Sequence, residues 1–187
     1  YGAELTLTPD ALRGIVPGTR APGWGLAPGS DDPGIRLPVL AASLTGYANL
    51  VGAMSERALS APGERNPRHS LVDLRDASGD LLVLTGGRRG PLMRALRAGG
   101  VTHARRVLDE LADTFGRDQI LVEWQATRGD EDEVGDTLAG LAHASGTRLV
   151  ATTGARMSTP SKQALGDILA ATRLGVSLDE AQAHLGA

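Results

Sequence analysis

Three times from Leu81 onward, a short apolar run breaks at a polar or glycine-rich turn and gives way to a helical pattern. Leu81–Thr85 is continuous and apolar, as strands buried on both faces are. It meets Gly86-Gly87-Arg88-Arg89-Gly90, and Pro91 then occupies the first turn of a helix, where its missing N–H costs nothing. Gln119–Trp124 is a second strand; Asp130 with Glu133 three residues on forms a capping box for the helix carrying Val134, Leu138 and Leu141. The third strand, Leu149-Val150-Ala151, runs into Thr152-Thr153-Gly154-Ala155-Arg156, after which Thr159 caps a helix that begins at Pro160. Strands alternating with helices of 10–15 residues imply βα units and a mainly parallel sheet, hence an α/β fold. In such folds ligands gather where strands end and helices begin, so Arg148–Lys162 is expected to help line any polar site.

The remaining elements are read from periodicity. Tyr1–Thr8 alternates apolar and polar residues like a strand, and begins abruptly, as if cut from a longer chain. Pro9–Pro33 holds five of the ten prolines and many glycines; a flexible insertion over about 9–33 is expected there. Ile35–Ala41 reads as a strand, with Pro38 marking an edge or an irregular segment. Leu44, Tyr47, Leu50, Val51, Met54 and Ala58 lie on one helical face, and Val101, Ala104, Val107, Leu108, Leu111 and Phe115 mark another helix ending near Gly116. Ser60–Ser70 is a polar loop, followed by the short apolar segment Leu71–Leu74. Leu165, Ile168 and Leu169 are the expected buried face of the helix after Pro160, and Ser177 with Glu180 starts a last short one.

Composition narrows the function. At 187 residues the chain is long enough for one domain with a real core, or a large piece of one. Aromatic residues are only 3 %, so aliphatic side chains must build that core. A net charge of −3 gives no global basic field for nucleic acid and argues against a membrane-surface module. The absence of cysteine excludes disulfides, thiolate metal sites and cysteine nucleophiles. No apolar run approaches the roughly 18 residues of a membrane span, and a cytoplasmic domain is the expectation.

Six segments, taken in order, resemble the PHP (polymerase and histidinol phosphatase) domain at the front of bacterial C-family, DNA polymerase III alpha-type polymerases. They are Tyr1–Leu5, Leu40–Leu50, Leu82–Gly90, Phe115–Asp118 with Val122-Glu123, Leu149–Arg156 and Leu165–Arg173. Thr152-Thr153-Gly154 is most similar to the error-prone branch. The resemblance implies a distorted α/β barrel, incomplete at its N-terminus. Residues 1–187 would form about the C-terminal two-thirds of a single PHP-like domain.

The resemblance also implies where metals would sit in hydrolytic members, and this chain departs from that pattern. Glu4 matches the family's Gly-x-Glu ligand. Arg36 stands where a His opens the next strand, Gly87 where many members have Cys, and Thr127 about where a His follows the Val-Glu strand. Gly154 and Arg156 stand in the seats of an Asp and a His. Glycine has no side-chain donor atom, and a guanidinium has no acceptor and stays charged. These six positions read as a degenerate metal site with no catalytic residue. Glu4 is only a weak metal candidate and is better explained as the ion-pair partner of Arg36 or Arg156.

The expected role is that of a non-catalytic PHP scaffold domain of an error-prone, translesion polymerase. Its partner would be the polymerase core of the same chain, with DNA and other translesion subunits reached through the parent protein. Any Mg would belong to the parent's polymerase domain, and this stretch would need no cofactor. The alternatives are an active metal-dependent phosphoesterase or 3′–5′ proofreading exonuclease, and a free-standing binding module. Gly86–Gly90 lacks the Lys-Ser/Thr ending of a nucleotide-binding loop. The four histidines, 69, 103, 143 and 184, show no ligand-like spacing and read as surface residues. Trp24 and Trp124 form no stacking platform, and the acidic run Asp130–Asp136 reads as a solvated helix start.

Overall fold

A computed structural model of the protein describes residues 1–8, 11–12, 34–64, 67–125, 131–154 and 157–181. Among these described residues six strands form one sheet in the order β3-β1-β2-β4-β5-β6. These are β1 (Gly2–Leu7), β2 (Ile35–Ala41), β3 (Arg68–His69), β4 (Leu81–Leu84), β5 (Ile120–Gln125) and β6 (Arg148–Thr152). Only β2 runs against the others: it is antiparallel to β1 and β4, whereas β1–β3, β4–β5 and β5–β6 are parallel. The helices are α1 (Leu44–Ser60), α2 (Leu71–Arg75), α3 (Pro91–Phe115), α4 (Glu131–Ser145), α5 (Gln163–Leu174) and α6 (Leu178–Ala181). This is the α/β architecture that the strand–helix alternation demands.

Side chains alternate across each strand, so the sheet has two different faces. One carries Leu5, Leu7, Leu37, Val39, Val83 and Ile120, and these join residues of α1 to α4 in a single core. Leu108 and Leu111 of α3 and Leu138 of α4 are essentially inaccessible there. The aliphatic composition is thus sufficient for a close-packed core, with Phe115 the lone phenylalanine within it. Leu12 is also fully buried, although it falls in the stretch expected to be a flexible insertion; the rest of 9–33, including Trp24, lies outside the described residues except Ala11.

Several expectations need correction. Pro38 does not mark an edge, because β2 is flanked on both sides. The N–H of Arg36 donates to the Arg89 carbonyl (3.1 Å) on the β4 side, and that of Ala41 to Tyr1 (2.9 Å) on the β1 side. Successive backbone N–H groups alternate in direction, so the missing donor of Pro38 is on the β4 side. There the pairing with β4 runs only from Val39 to Ala41. An interior strand tolerates this proline because its ladder stops one residue short.

Leu71–Leu74 is a helix, α2, closed by a reciprocal cap: the Ser70 hydroxyl accepts from the Asp73 N–H, and the Asp73 carboxylate accepts from the Ser70 N–H. His69 ends β3 on the core side and is buried, not a surface residue. Gly99 and Gly100 leave helical geometry inside α3, so the helix from Pro91 and the one marked by Val101–Phe115 are two segments across a kink. Val101, just after it, is exposed. Thr159 precedes a 3-10 turn at Pro160–Lys162, not an α-helix, and its side chain makes no cap; its hydroxyl instead meets that of Ser161 at 3.0 Å.

The largest correction concerns two helix faces. In α1 the apolar stripe exists, but Leu44, Tyr47, Val51 and Met54 are exposed; of that stripe only Leu50 is buried in the core, and Ala53, outside the stripe, packs against it. In α5, Leu165, Ile168 and Leu169 are 53–59 % exposed, since the helix packs mainly on α6 and on the turn that precedes it. The Ser177–Glu180 capping box of α6 is present as expected. Asp130, the expected cap of α4, lies outside the described residues.

Candidate functional site

The second face of the sheet carries the polar residues. By register, Glu4 and Thr6 of β1 lie beside Pro38 and Arg36 of β2, and Glu123 and Gln125 of β5 lie beside Val150 and Thr152 of β6. Between them the loop Gly86–Gly90 leaves β4. Gly86 has φ +70, and a Cβ on it would meet Gly90 Cα at 2.8 Å and the Arg36 carbonyl at 3.0 Å. That turn needs glycine both for its backbone angle and for the close approach of two chain segments. It brings β2 against the β4–α3 connection.

At one side of this loop, Arg36 Nη1 lies 3.6 Å from Glu4 Oε1 and donates to Thr6 Oγ1 at 3.0 Å. The guanidinium is mostly covered while the carboxylate is about half exposed (side-chain exposure 25 % and 57 %). Solvent screening therefore keeps this pair to about 0–1 kcal/mol. Its importance is positional: the one carboxylate among the six candidate positions already faces a fixed cation.

On the other side, the ends of β4, β5 and β6 share a hydrogen-bonded network. Glu123 is 4 % exposed. Its Oε1 accepts from Thr152 Oγ1 at 2.6 Å and from Gln125 Nε2 at 2.8 Å. Its backbone N–H donates to the hydroxyl of the fully buried Thr85 at 2.9 Å. Oε2 is buried with no hydrogen-bond partner among the described residues. A carboxylate is seldom buried without a cation, so donors on its other oxygen must carry the stabilisation.

Of the six positions singled out in the sequence, the structure brings Glu4 and Arg36 into contact. It also sets Gly87 and Gly154 against one side chain, Gln125. Thr127 and Arg156 lie outside the described residues. Glu123, Gln125 and Thr85 are site residues that sequence reasoning does not single out, whereas Thr152 falls within Arg148–Lys162, the stretch expected to line a polar site. The available signal is the alternation in β5: Ile120, Val122 and Trp124 are apolar, whereas Glu123 and Gln125 interrupt the opposite face just where a parallel strand ends.

The donor set among the described residues does not fit a metal cluster. Among the described residues no three His, Asp or Glu side chains converge. Gly87 and Gly154 contribute no side chain. Glu4 is engaged by Arg36, and Glu123 by Thr152 and Gln125. Neither His69 nor His103 belongs to this network: the first is buried near Arg57 and Asp73, and the second bonds the Gly99 carbonyl at 2.9 Å.

Comparison with known proteins shows which proteins the chain is similar to. The chain is 36 % identical to an error-prone DNA polymerase of Mycolicibacterium paratuberculosis, an alignment covering 99 % of this chain and 16 % of that protein. An error-prone DNA polymerase of Mycobacterium bovis is 35 % identical over the same shares, and one of Cutibacterium acnes 36 % identical over 96 % of this chain and 15 % of its own length. The chain therefore spans about one sixth of the length of these curated relatives. None of its described helices is long and apolar enough to cross a membrane. Residues 1–127 match the sequence profile of the PHP domain, and on that match the chain belongs to the PHP domain family.

Proposed function

We propose that this chain is a non-catalytic PHP scaffold of an error-prone, translesion DNA polymerase of the III alpha type. The observation that carries the reading is the pairing of Arg36 with Glu4: the retained acidic position faces a guanidinium at 3.6 Å. A guanidinium cannot be deprotonated near neutral pH, so it excludes a divalent ion by charge. Gly87 and Gly154 support the same reading, since neither has a donor atom to offer.

DNA synthesis past damage, with Mg at its own carboxylates, would belong to the polymerase part of the longer protein. This domain would serve that part structurally, with the polymerase core as its first partner, DNA met through that core, and the cytoplasm as its compartment. Other translesion subunits are further partners of the parent.

Metal analysis separates this reading from an active phosphoesterase or proofreading exonuclease. Purified protein is expected to hold no stoichiometric Zn, Mn or Fe after dialysis, and to hydrolyse neither a simple phosphate ester nor a DNA 3′ end. A stoichiometric metal together with hydrolysis that is abolished by Glu4→Ala would replace the scaffold with the phosphoesterase.

A further inference from the structure

We propose that Gln125 is a resident plug, its side-chain amide filling from within the space between the ends of β4, β5 and β6. The inference rests on the reading of a site without metal and gives it a physical basis. Two loops far apart in sequence leave the same gap. A Cβ on Gly87, after β4, would overlap Gln125 Oε1; one on Gly154, after β6, would meet the same oxygen at 2.9 Å. Both glycines thus lack a side chain where one amide already sits.

The amide is held in place. Gln125 Nε2 donates to Glu123 Oε1 at 2.8 Å, and Thr152, the β6 neighbour of Gln125 in register, donates to the same oxygen at 2.6 Å. Glu123 itself is fixed by its burial and by the bond from its N–H to Thr85. The plug supplies a neutral donor to a buried carboxylate that has no basic partner among the described residues. Any side chain introduced at 87 must therefore displace an amide that Glu123 holds, and not solvent.

Gly87 is the clean probe, because its φ lies outside the left-handed region and space is the only bar to a Cβ there. Gly154 has φ +56, so a side chain at that position is strained whether or not Gln125 is present. Gly90 is the control: a Cβ there would overlap the Thr85 carbonyl, which is backbone and cannot move aside.

The test is a double-mutant cycle on the thermal unfolding of the 187-residue chain. Gly87→Ala is expected to lower Tm by about 3–10 °C, as overpacking does in a domain of this size. In the Gln125→Ala background the same change should cost less than about 2 °C, while Gly90→Ala stays equally costly in both. If Gly87→Ala alone does not fold, recovery of a cooperative transition in Gly87→Ala/Gln125→Ala supports the plug just as well. An equal cost of Gly87→Ala in both backgrounds, or none in either, overturns it. Because the readout is folding, a plug that fails leaves the metal analysis untouched, and bound metal would refute the scaffold without altering the cycle.

Discussion

Helices α3 and α5 make similar promises in sequence and meet different fates. Both carry aliphatic residues at helical spacing, and both follow a strand and a turn with proline near the start. In α3, Ala104, Val107, Leu108 and Leu111 are completely buried against the sheet and α4. In α5, Leu165, Ile168 and Leu169 remain more than half exposed. Spacing fixes which residues share a stripe; whether that stripe is covered depends on what the sheet places opposite it. The strands that α3 packs on, β2 and β5, lie inside the sheet, whereas α5 follows β6, the last strand in the order.

The widest separation should come from truncating one residue on each stripe. Leu108→Ala is expected to destabilise the chain by about 2–5 kcal/mol, since it opens a cavity in a closed core. Ile168→Ala should stay within about 0.5 kcal/mol, as surface substitutions do. Chemical denaturation of both variants checks this, and equal losses would mean that α5 is packed as firmly as α3.

The second contrast sets one capping box against another. Ser70→Ala removes a cap from α2, whose Leu71 and Leu74 are buried, and should cost about 1 kcal/mol. Ser177→Ala removes the same device from α6, where only Ala181 is buried, so the loss should be local fraying. Hydrogen exchange at the two helix starts distinguishes them: α2 should lose protection together with the core, α6 by itself.

The smallest effect expected is a pH dependence confined to the well-packed side. Burial and then the charge of Arg57 hold the His69 imidazole below its ordinary value of 6.5. The folded state therefore binds this proton less readily than the unfolded chain does. Stability from the neutral ring is complete above pH 6.5 and is lost as pH falls below it. Asp73, also held low, first by the Ser70 backbone N–H, acts further down, below 3.8. Tm should decline from pH 7.5 to 5.5, and His69→Gln should flatten that decline without altering the exposed α5 region.

Much of the fold is legible directly from the chain. β1, β2, β4, β5 and β6 fall where alternating or continuous apolar runs predict them, because a strand's burial pattern is local. The two-residue β3 is invisible in sequence, since Arg68-His69 has no pattern of its own and pairs only through Thr6 and Leu7. His69 misleads for the same reason: it lies within a polar loop in sequence and faces the core in space. Pro38 suggests an edge because the rule concerns a missing donor, and sequence does not tell which side of the strand lacks a partner.

At the site, the residue types alone speak for the loss of donors. That Arg36 faces Glu4 across neighbouring strands also accords with chemistry visible in the sequence. Gln125 cannot be found that way. Its significance arises only because residues 87, 125 and 154, from three separate strand ends, converge on one small volume.

The sequence by itself determined the succession of strands and helices, the aliphatic core and the lack of side-chain donors at Gly87 and Gly154, since these depend on local patterns and on atoms a residue has or lacks. Only the tertiary structure decided which apolar stripes are covered, which way β2 runs, and what fills the gap those glycines leave. Coverage, direction and volume are properties of segments brought together, and no single segment contains them.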